Sequence, residues 1–376
     1  MNPVALITGA RSPAALDLAR DFSAAGMSVH MADSSPARIA RWSRTPAAVH
    51  RLASPVHDRD GFRRGVAGLV ERLQPAIVVP TCEEIFHLAA ARADGVDVGP
   101  LFAPDLATLD CLHAKNRFNA LALSLGLDAP ATTLITGPLD TSAQALDGKV
   151  LKACYSRFGL ATIIGPGPAA AAIRPTEALP WIVQTRIDGV EFSSYAVAVG
   201  GRVTAFAAYR STLRLRGGAG YAFRPAPGQI HDRLFRASCA LAEHLGITGQ
   251  LALDAIDDGQ RSWLIECNPR ATSGVHLIAG DGCLARAMRG ERSQPPVGAG
   301  GRHLLPMMLS WGVLDHLRHG RLPTFAGRDV IGAPGDRMPL LGAIADTIGF
   351  TVAAARHRVP LTGATTRDIE WNGERT

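Results

Sequence analysis

Apolar and polar positions alternate between two periods over the first hundred residues. Val4 to Thr8 is a short unbroken apolar run, and Ala14 to Ala25 carries apolar residues at helical spacing. Between them lies Gly9-Ala10-Arg11-Ser12-Pro13, where Ser12 suits an N-cap and Pro13 the first helical position. Gly26 ends that helix and Met27 to Ala32 reads as a second strand. A helix over Gly61 to Leu73 and a buried strand over Ala76 to Pro80 follow. This βαβ rhythm predicts a parallel sheet with helices on both faces.

The pattern then changes. Pro100 to Asp110 reads as a connector and Cys111 to Leu125 as a helix stopped by Gly126. Short strands are predicted at Val150–Ala153 and Ile182–Gln184. Phe192 to Val199 and Arg202 to Tyr209 form a hairpin around Gly200-Gly201. Residues 210 to 228 read as an Arg- and Gly-rich loop, and Asp232 to Leu245 as a helix. A second hairpin joins Leu251–Ile256 to Ser262–Cys267 through Asp257-Asp258-Gly259. Beyond about residue 300 Pro and Gly break the pattern. Arg328 to Ile331 and Thr365 to Gly373 look motif-like there without indicating a chemistry.

The chain has 376 residues, of which 47% are hydrophobic and 19% charged, enough for two or three domains with buried cores. No apolar run reaches the roughly 18 residues expected of a bilayer span. The apolar start is too short for a signal peptide, so the cytoplasm is the default compartment. Six separated cysteines form no CxxC pair, which argues against zinc or a redox dithiol. Net charge is +6, but the arginines are scattered and no basic run is interleaved with aromatics, so nucleic acid is not the expected partner. Only Lys115, Lys149 and Lys152 are lysines among 39 basic residues. Arg and Lys are not interchangeable as phosphate ligands, so these three positions are candidates for a compact ammonium, although a GC-rich genome would also deplete lysine.

The strongest chemical pattern is Asp254 with Glu266-Cys267-Asn268-Pro269-Arg270. Strand alternation across the second hairpin puts Asp254, Glu266 and Asn268 on one face, an oxygen-rich set suited to Mg²⁺ or Mn²⁺. Arg270 points the same way and can contact a phosphoryl group. A solvated acidic hairpin is the alternative, but Glu266 follows Trp263-Leu264-Ile265, where an unpaired carboxylate is costly.

On these residues the sequence resembles the ATP-grasp superfamily, in the branch of the carbamoyl-phosphate synthase large chain and biotin carboxylase, over roughly residues 1 to 290. The resemblance implies an α/β ATP-grasp fold. A Rossmann-like domain would cover 1–110, a central lobe 111–183 and a third lobe 184–300, with a C-terminal extension over 301–376. It implies Mg²⁺ on Asp254, Glu266 and Asn268, phosphate contacts from Lys115 and Lys152, and Arg270 acting in phosphoryl transfer. The loop after Lys152 has one glycine where the family has several, and Ser156 and Arg157 would supply donors instead. Ile182 to Glu191 resembles the adenine hinge, with backbone around Gln184 to Ile187 for the base and Glu191 for the ribose. Arg210, Arg214, Arg216 and Arg224 are candidates for an anionic substrate or γ-phosphate, against a plain solvated loop. Thr272 to His276 is a further candidate pocket wall, with His276 equally suited to packing.

The implied function is an ATP-dependent ligase joining a small-molecule carboxylate to an amine, or to a thiol, through an acyl phosphate. Two alternatives stand beside it. One is a non-catalytic ATP-binding regulatory protein. The other is an NAD-dependent oxidoreductase suggested by Gly9 and Asp33, although Gly9 to Ala14 lacks the later glycines of G-x-G-x-x-G and Arg11 would crowd a pyrophosphate. The C-terminal extension is expected to close over substrate or to form a homodimer contact.

Overall fold

The computed structural model describes residues 2–156, 161–215, 218–293, 300–313, 317 and 327–373. The amino-terminal third is built on strands β1 (Val4–Thr8), β2 (Ser28–Asp33), β3 (Ala48–Arg51) and β4 (Ile77–Val79), all parallel, in the order β3-β2-β1-β4. Helices α1 (Pro13–Ala24), α2 (Arg38–Arg41) and α3 (Arg59–Leu73) connect them, and α4 (Glu84–Ala93) follows β4. The Ser12 hydroxyl caps α1 by accepting from Ala14 N–H. Gly9 adopts a left-handed φ of 73° in the turn after β1, where a side chain would collide with Thr81 and Glu84.

Two helices replace the one predicted over Cys111 to Leu125. Asp105 caps α5 (Leu106–His113), so the expected connector is partly helical. The backbone turns extended at Ala114, and α6 (Lys115–Ser124) starts afresh. That break puts Lys115 on the first turn of α6, with its N–H on the Cys154 carbonyl.

A small antiparallel lobe follows, formed by β5 (Thr132–Ile135), α7 (Ala143–Leu146), β6 (Lys149–Ala153), β7 (Thr162–Ile164), α8 (Pro168–Ala171) and β8 (Trp181–Thr185). Its sheet order is β5-β8-β6-β7. Leu146, Leu151, Ala170 and Ile173 give it an apolar core of its own.

The largest sheet has seven strands, ordered β13-β12-β9-β10-β11-β14-β15. Strands β9 (Val190–Val199) and β10 (Arg202–Arg214) turn at Gly200-Gly201, both with positive φ. β11 (Gly220–Pro225) pairs antiparallel with the far end of β10, so much of the predicted 210–228 loop is a second hairpin. Apolar Tyr221, Ala222 and Phe223 account for this, since they bury against the sheet. Helix α9 (Gly228–His244) covers one face, and β12 (Gly249–Asp257) and β13 (Ser262–Asn268) form the expected hairpin. Short helices α10 (Val275–Ile278) and α11 (Cys283–Met288) pack with α1 on the other face in one continuous core. Asp21 of α1 accepts the N–H groups of Gly280 and Ala285, fixing this sheet to the amino-terminal third.

The extension is more ordered than its sequence suggests. β14 (Arg302–His303) and β15 (Arg328–Asp329) finish the large sheet, with α12 (Leu305–Met307) after β14. Helix α13 (Met338–His357) lies on α2, and α14 (Leu361–Ala364) leads into a tail that buries Trp371 against Phe86 and His87. α13 also corrects an expectation, because it is long and apolar enough to cross a membrane.

Candidate active site

A cleft of about 670 Å³ separates the small lobe from the seven-stranded sheet. That volume lies in the range of small-molecule and cofactor sites. One wall comes from β6 and β8 of the small lobe. Lys152 enters it from β6, and Gln184 and Ile187 from the end of β8 and the segment after it. The other wall is the concave face of β9, β10, β12 and β13, bearing Glu191, Asp254, Glu266 and Asn268.

Asp254 and Glu266 sit directly opposite each other across the β12–β13 pair, and Asn268 lies one step along the same face. The Asn268 amide donates to Asp254 at 3.2 Å and to Glu266 at 3.3 Å. Ser193, on neighbouring β9, donates its hydroxyl to Asp254 at 2.6 Å. Burial first, then the facing charges of Glu266 and Glu191, pushes the Asp254 carboxyl upward. Glu266 moves the other way: burial opposes its charge, but the ammonium groups of Lys115 and Lys152 outweigh that. Two carboxylates forced together share a proton until a cation replaces it. The two carboxylates suit a hard divalent ion that completes its shell with water and phosphate oxygens, and Asn268 would add its amide oxygen by turning over, because here its nitrogen faces the carboxylates and its oxygen accepts from Arg270.

The ammonium of Lys115 lies 3.4 Å from Glu266 and donates to the Ser156 carbonyl at 3.1 Å. Lys152 is buried and donates to the Gln184 side chain at 2.9 Å. Burial lowers its pKa against the opposing pull of Glu266, while Lys115 pushes the same way as burial. Lys152 therefore faces the carboxylate pair from the opposite wall of the cleft, whereas Lys115, buried at the start of α6, reaches Glu266 from the helix that packs on β13. Arg270 lines it too, reaching Asn268 at 3.1 Å and coming within 4.0 Å of Glu83.

Other predicted positions separate. Ser156, Ile187 and Glu191 line the cleft, and Gln184 uses its side chain there. The backbone N–H groups of Thr185 and Arg186 already donate to Ala131 and Gly148, so the expected hinge has fewer backbone donors to offer. Arg157 and Arg216 lie outside the described residues. Arg214 lines the cleft and pairs with Glu191 at 2.8 Å. Arg210 does not line it: it is exposed and paired across the strands with exposed Arg224. Strand alternation sends its neighbours Tyr209 and Ser211 inward instead. His276 is also away from the cleft, buried on α10 with its ring 2.8 Å from Asp17. Thr272 and Ser273, in the same segment, do line it. Ser193, Tyr209 and Ser211 were not anticipated. The pairing of Ser193 with Asp254 follows only once β9 is known to lie beside β12.

The Rossmann-like crevice at the end of β1 has no such room. Arg11 fills it, meeting Asp33 and Asp368 at 2.6 Å each and donating to the Thr365 carbonyl at 2.8 Å. About 10 Å³ of space is left there. The chain's own tail sits where a dinucleotide would have to lie, which removes the structural basis for the oxidoreductase alternative.

The mixed α/β architecture, with an open cleft between an antiparallel lobe and a larger sheet bearing the acidic hairpin, defines an ATP-grasp fold. Solved structures similar to the chain carry the same fold. An N5-carboxyaminoimidazole ribonucleotide synthetase in complex with ADP superposes with a TM-score of 0.64 at 14% identity, over 87% of this chain and 91% of that one. An L-amino acid ligase from Bacillus licheniformis gives 0.58 at 14%, over 80% and 78%. The biotin carboxylase domain of Hydrogenobacter thermophilus 2-oxoglutarate carboxylase, with MgADP and bicarbonate, gives 0.60 at 12%, over 77% and 71%. No protein-family model matches the chain, and comparison with curated proteins gives no match.

Proposed function

We propose that this protein is an ATP-dependent ligase that activates a small-molecule carboxylate as an acyl phosphate and transfers the acyl group to an amine or a thiol. The observation that supports it most is the convergence of Lys115 and Lys152 on Asp254, Glu266 and Asn268 at one cleft. Ammonium groups beside an acidic metal-binding set are what a metal-bound polyphosphate requires. The ADP and MgADP complexes of the similar structures support the same reading.

Asp254, Glu266 and Asn268 would hold Mg²⁺ or Mn²⁺, which supplies charge neutralisation for the β- and γ-phosphates. The chain's own groups do the rest. Lys115 and Lys152 stabilise the charge that accumulates on departing ADP. Glu191 accepts from the ribose hydroxyls, with Arg214 exchanging its partner as nucleotide enters. A substrate carboxylate oxygen attacks the γ-phosphorus and the bond to the β,γ-bridging oxygen breaks, with Arg270 beside the phosphoryl oxygens. The nucleophile then attacks the acyl carbon, a C–N or C–S bond forms, phosphate leaves with the electron pair of the broken C–O bond, and the proton of the nucleophile passes to the departing phosphate. Catalysis here is positioning and electrostatics.

The test is ADP release from Mg-ATP across a panel of carboxylic acids with amines and thiols. Glu266→Gln should cut turnover by at least about a thousandfold, since it removes a charge aimed at the metal and phosphates, while leaving the fold intact. Normal turnover in that variant sinks the metal assignment. Tight nucleotide binding by the wild type with no ADP release for any acid favours the regulatory alternative.

A further inference from the structure

Helix α13 has two unlike faces. Its inner face is engaged along the first half of the helix: Asp346 accepts the Ile39 N–H at 2.9 Å, Gly342 packs against the Arg38 backbone, and Leu340 and Ala343 join Val330 and Ile331 in a small core. Its outer face leaves Met338, Leu341, Ile344, Ile348 and Val352 between 48% and 63% exposed. Asp346, which is turned inward, is the helix's one acidic residue, and its basic residues come only at the last turn, Arg356 and His357.

The spacing of the outer apolar positions says what kind of surface would cover them. Met338, Leu341, Ala345, Ile348, Val352 and Ala355 follow one another at three, four, three, four and three residues. That is the 3.5-residue seam of helix-on-helix packing, with large side chains alternating with alanines that leave holes for them. A helix lying on a membrane would carry a broad apolar face bordered by basic residues along its length. Here the border is Thr347, Gly349 and Thr351, and the helix's basic residues sit only in its last turn.

The area points to a protein partner. The five outer side chains of α13 leave on the order of 500 Å² of apolar surface in water, so a two-fold pair buries about 1,000 Å², the threshold of a specific interface. We infer that this face docks a second copy of the same chain, α13 against α13, in a two-fold dimer. A seam of its own length and period is the partner the surface matches, and two-fold pairs are the commonest closed assemblies. Each copy carries a formal charge of +6, so the association strengthens as salt screens the repulsion between copies.

Sedimentation of the full chain over a dilution series tests this. The wild type should run at twice 39.6 kDa at about 10 μM. Ile348→Asp, on the seam, should weaken dimerisation by on the order of a hundredfold, because it buries a charge with no partner. Thr347→Asp, off the seam on the same helix, should leave the dimer unchanged, and both variants should keep wild-type circular dichroism. A wild type that is monomeric at about 100 μM overturns the inference. So does an Ile348→Asp chain that dimerises as tightly as the wild type. Cosedimentation of a monomeric wild type with phosphatidylserine vesicles, weakening with salt, would assign the face to lipid instead.

Discussion

At the end of β1, Arg11 meets Asp33 and Asp368 with about 10 Å³ to spare, whereas Lys152, Arg214 and Arg270 share about 670 Å³ with Glu191, Asp254 and Glu266. The residue types are nearly the same and the arrangements are opposite. In the first crevice Arg11 is met at hydrogen-bond distance by Asp33 and Asp368, Ser34 and a carbonyl take its remaining donors, and Glu84 accepts from Thr8, Thr81 and Cys82. In the second, two carboxylates are held against each other, with Lys152 on the far wall and Lys115 against Glu266. A closed set of pairs binds nothing further. Like charges held together are costly unless an outside ion or ligand resolves them, and that cost marks a binding site.

The comparison can be broken most severely at Arg11. Replacing it by alanine leaves Asp33 and Asp368 facing each other in a nearly closed space. A loss of about 3–5 kcal/mol is expected, as for other buried pairs cut on one side. Denaturant titration should show it as a lower midpoint. Detachment of the tail should show as exposure of Trp371, which is 2% exposed in the fold. An Arg11→Ala chain as stable as the wild type would mean the crevice is not closed by these pairs.

Lys152 should behave in the reverse sense. Its ammonium is buried in the open cleft, where burial already lowers its pKa. Lys152→Ala removes a charge the fold holds at a cost, so the unfolding midpoint should stay level or rise. Nucleotide affinity should fall about 10- to 100-fold through loss of a charge-assisted phosphate contact. Calorimetry with ADP and Mg²⁺ reads both the affinity and, by its absence, any failure of the assignment.

The two regions also differ in how far the sequence discloses them. The acidic hairpin is legible because a short turn and strand alternation force Asp254 against Glu266 with no knowledge of the rest of the fold. Scarcity of lysine singles out Lys115 and Lys152, though it cannot bring them together. The tail that closes the first crevice is silent, because Asp368 finds Arg11 across more than 350 positions and nothing local records the pairing. Nor does the sequence reveal the break at Ala114, since alanine is the best helix former and the extended turn is imposed by tertiary contact. Arg210 and Arg214 look equivalent in the chain. Two register shifts between Ser211 and Arg214 turn one to the cleft while the other stays outside.

The smallest expected effect is also the one most specific to the cleft. The folded state raises the Asp254 pKa, through burial first and then Glu266, from about 4 toward about 8. A carboxyl whose folded pKa is raised binds its proton more tightly folded than unfolded. Its contribution to stability is therefore complete below about pH 4 and is lost as pH climbs toward 8. Glu266 is held low by the lysines, and its own contribution is lost only in acid, so it does not mask this window. Because the cleft is open to water, solvent screening limits the change to about 1 kcal/mol or somewhat more. Mg²⁺ competes with that proton, so the rise in melting temperature on adding Mg²⁺ should be larger at pH 8 than at pH 6. Asp254→Asn should flatten the metal-free profile and remove most of the Mg²⁺ response. Equal Mg²⁺ shifts at the two pH values would mean that the proton and the metal do not share a site, and that the carboxylates of the open cleft are no more strained than those around Arg11.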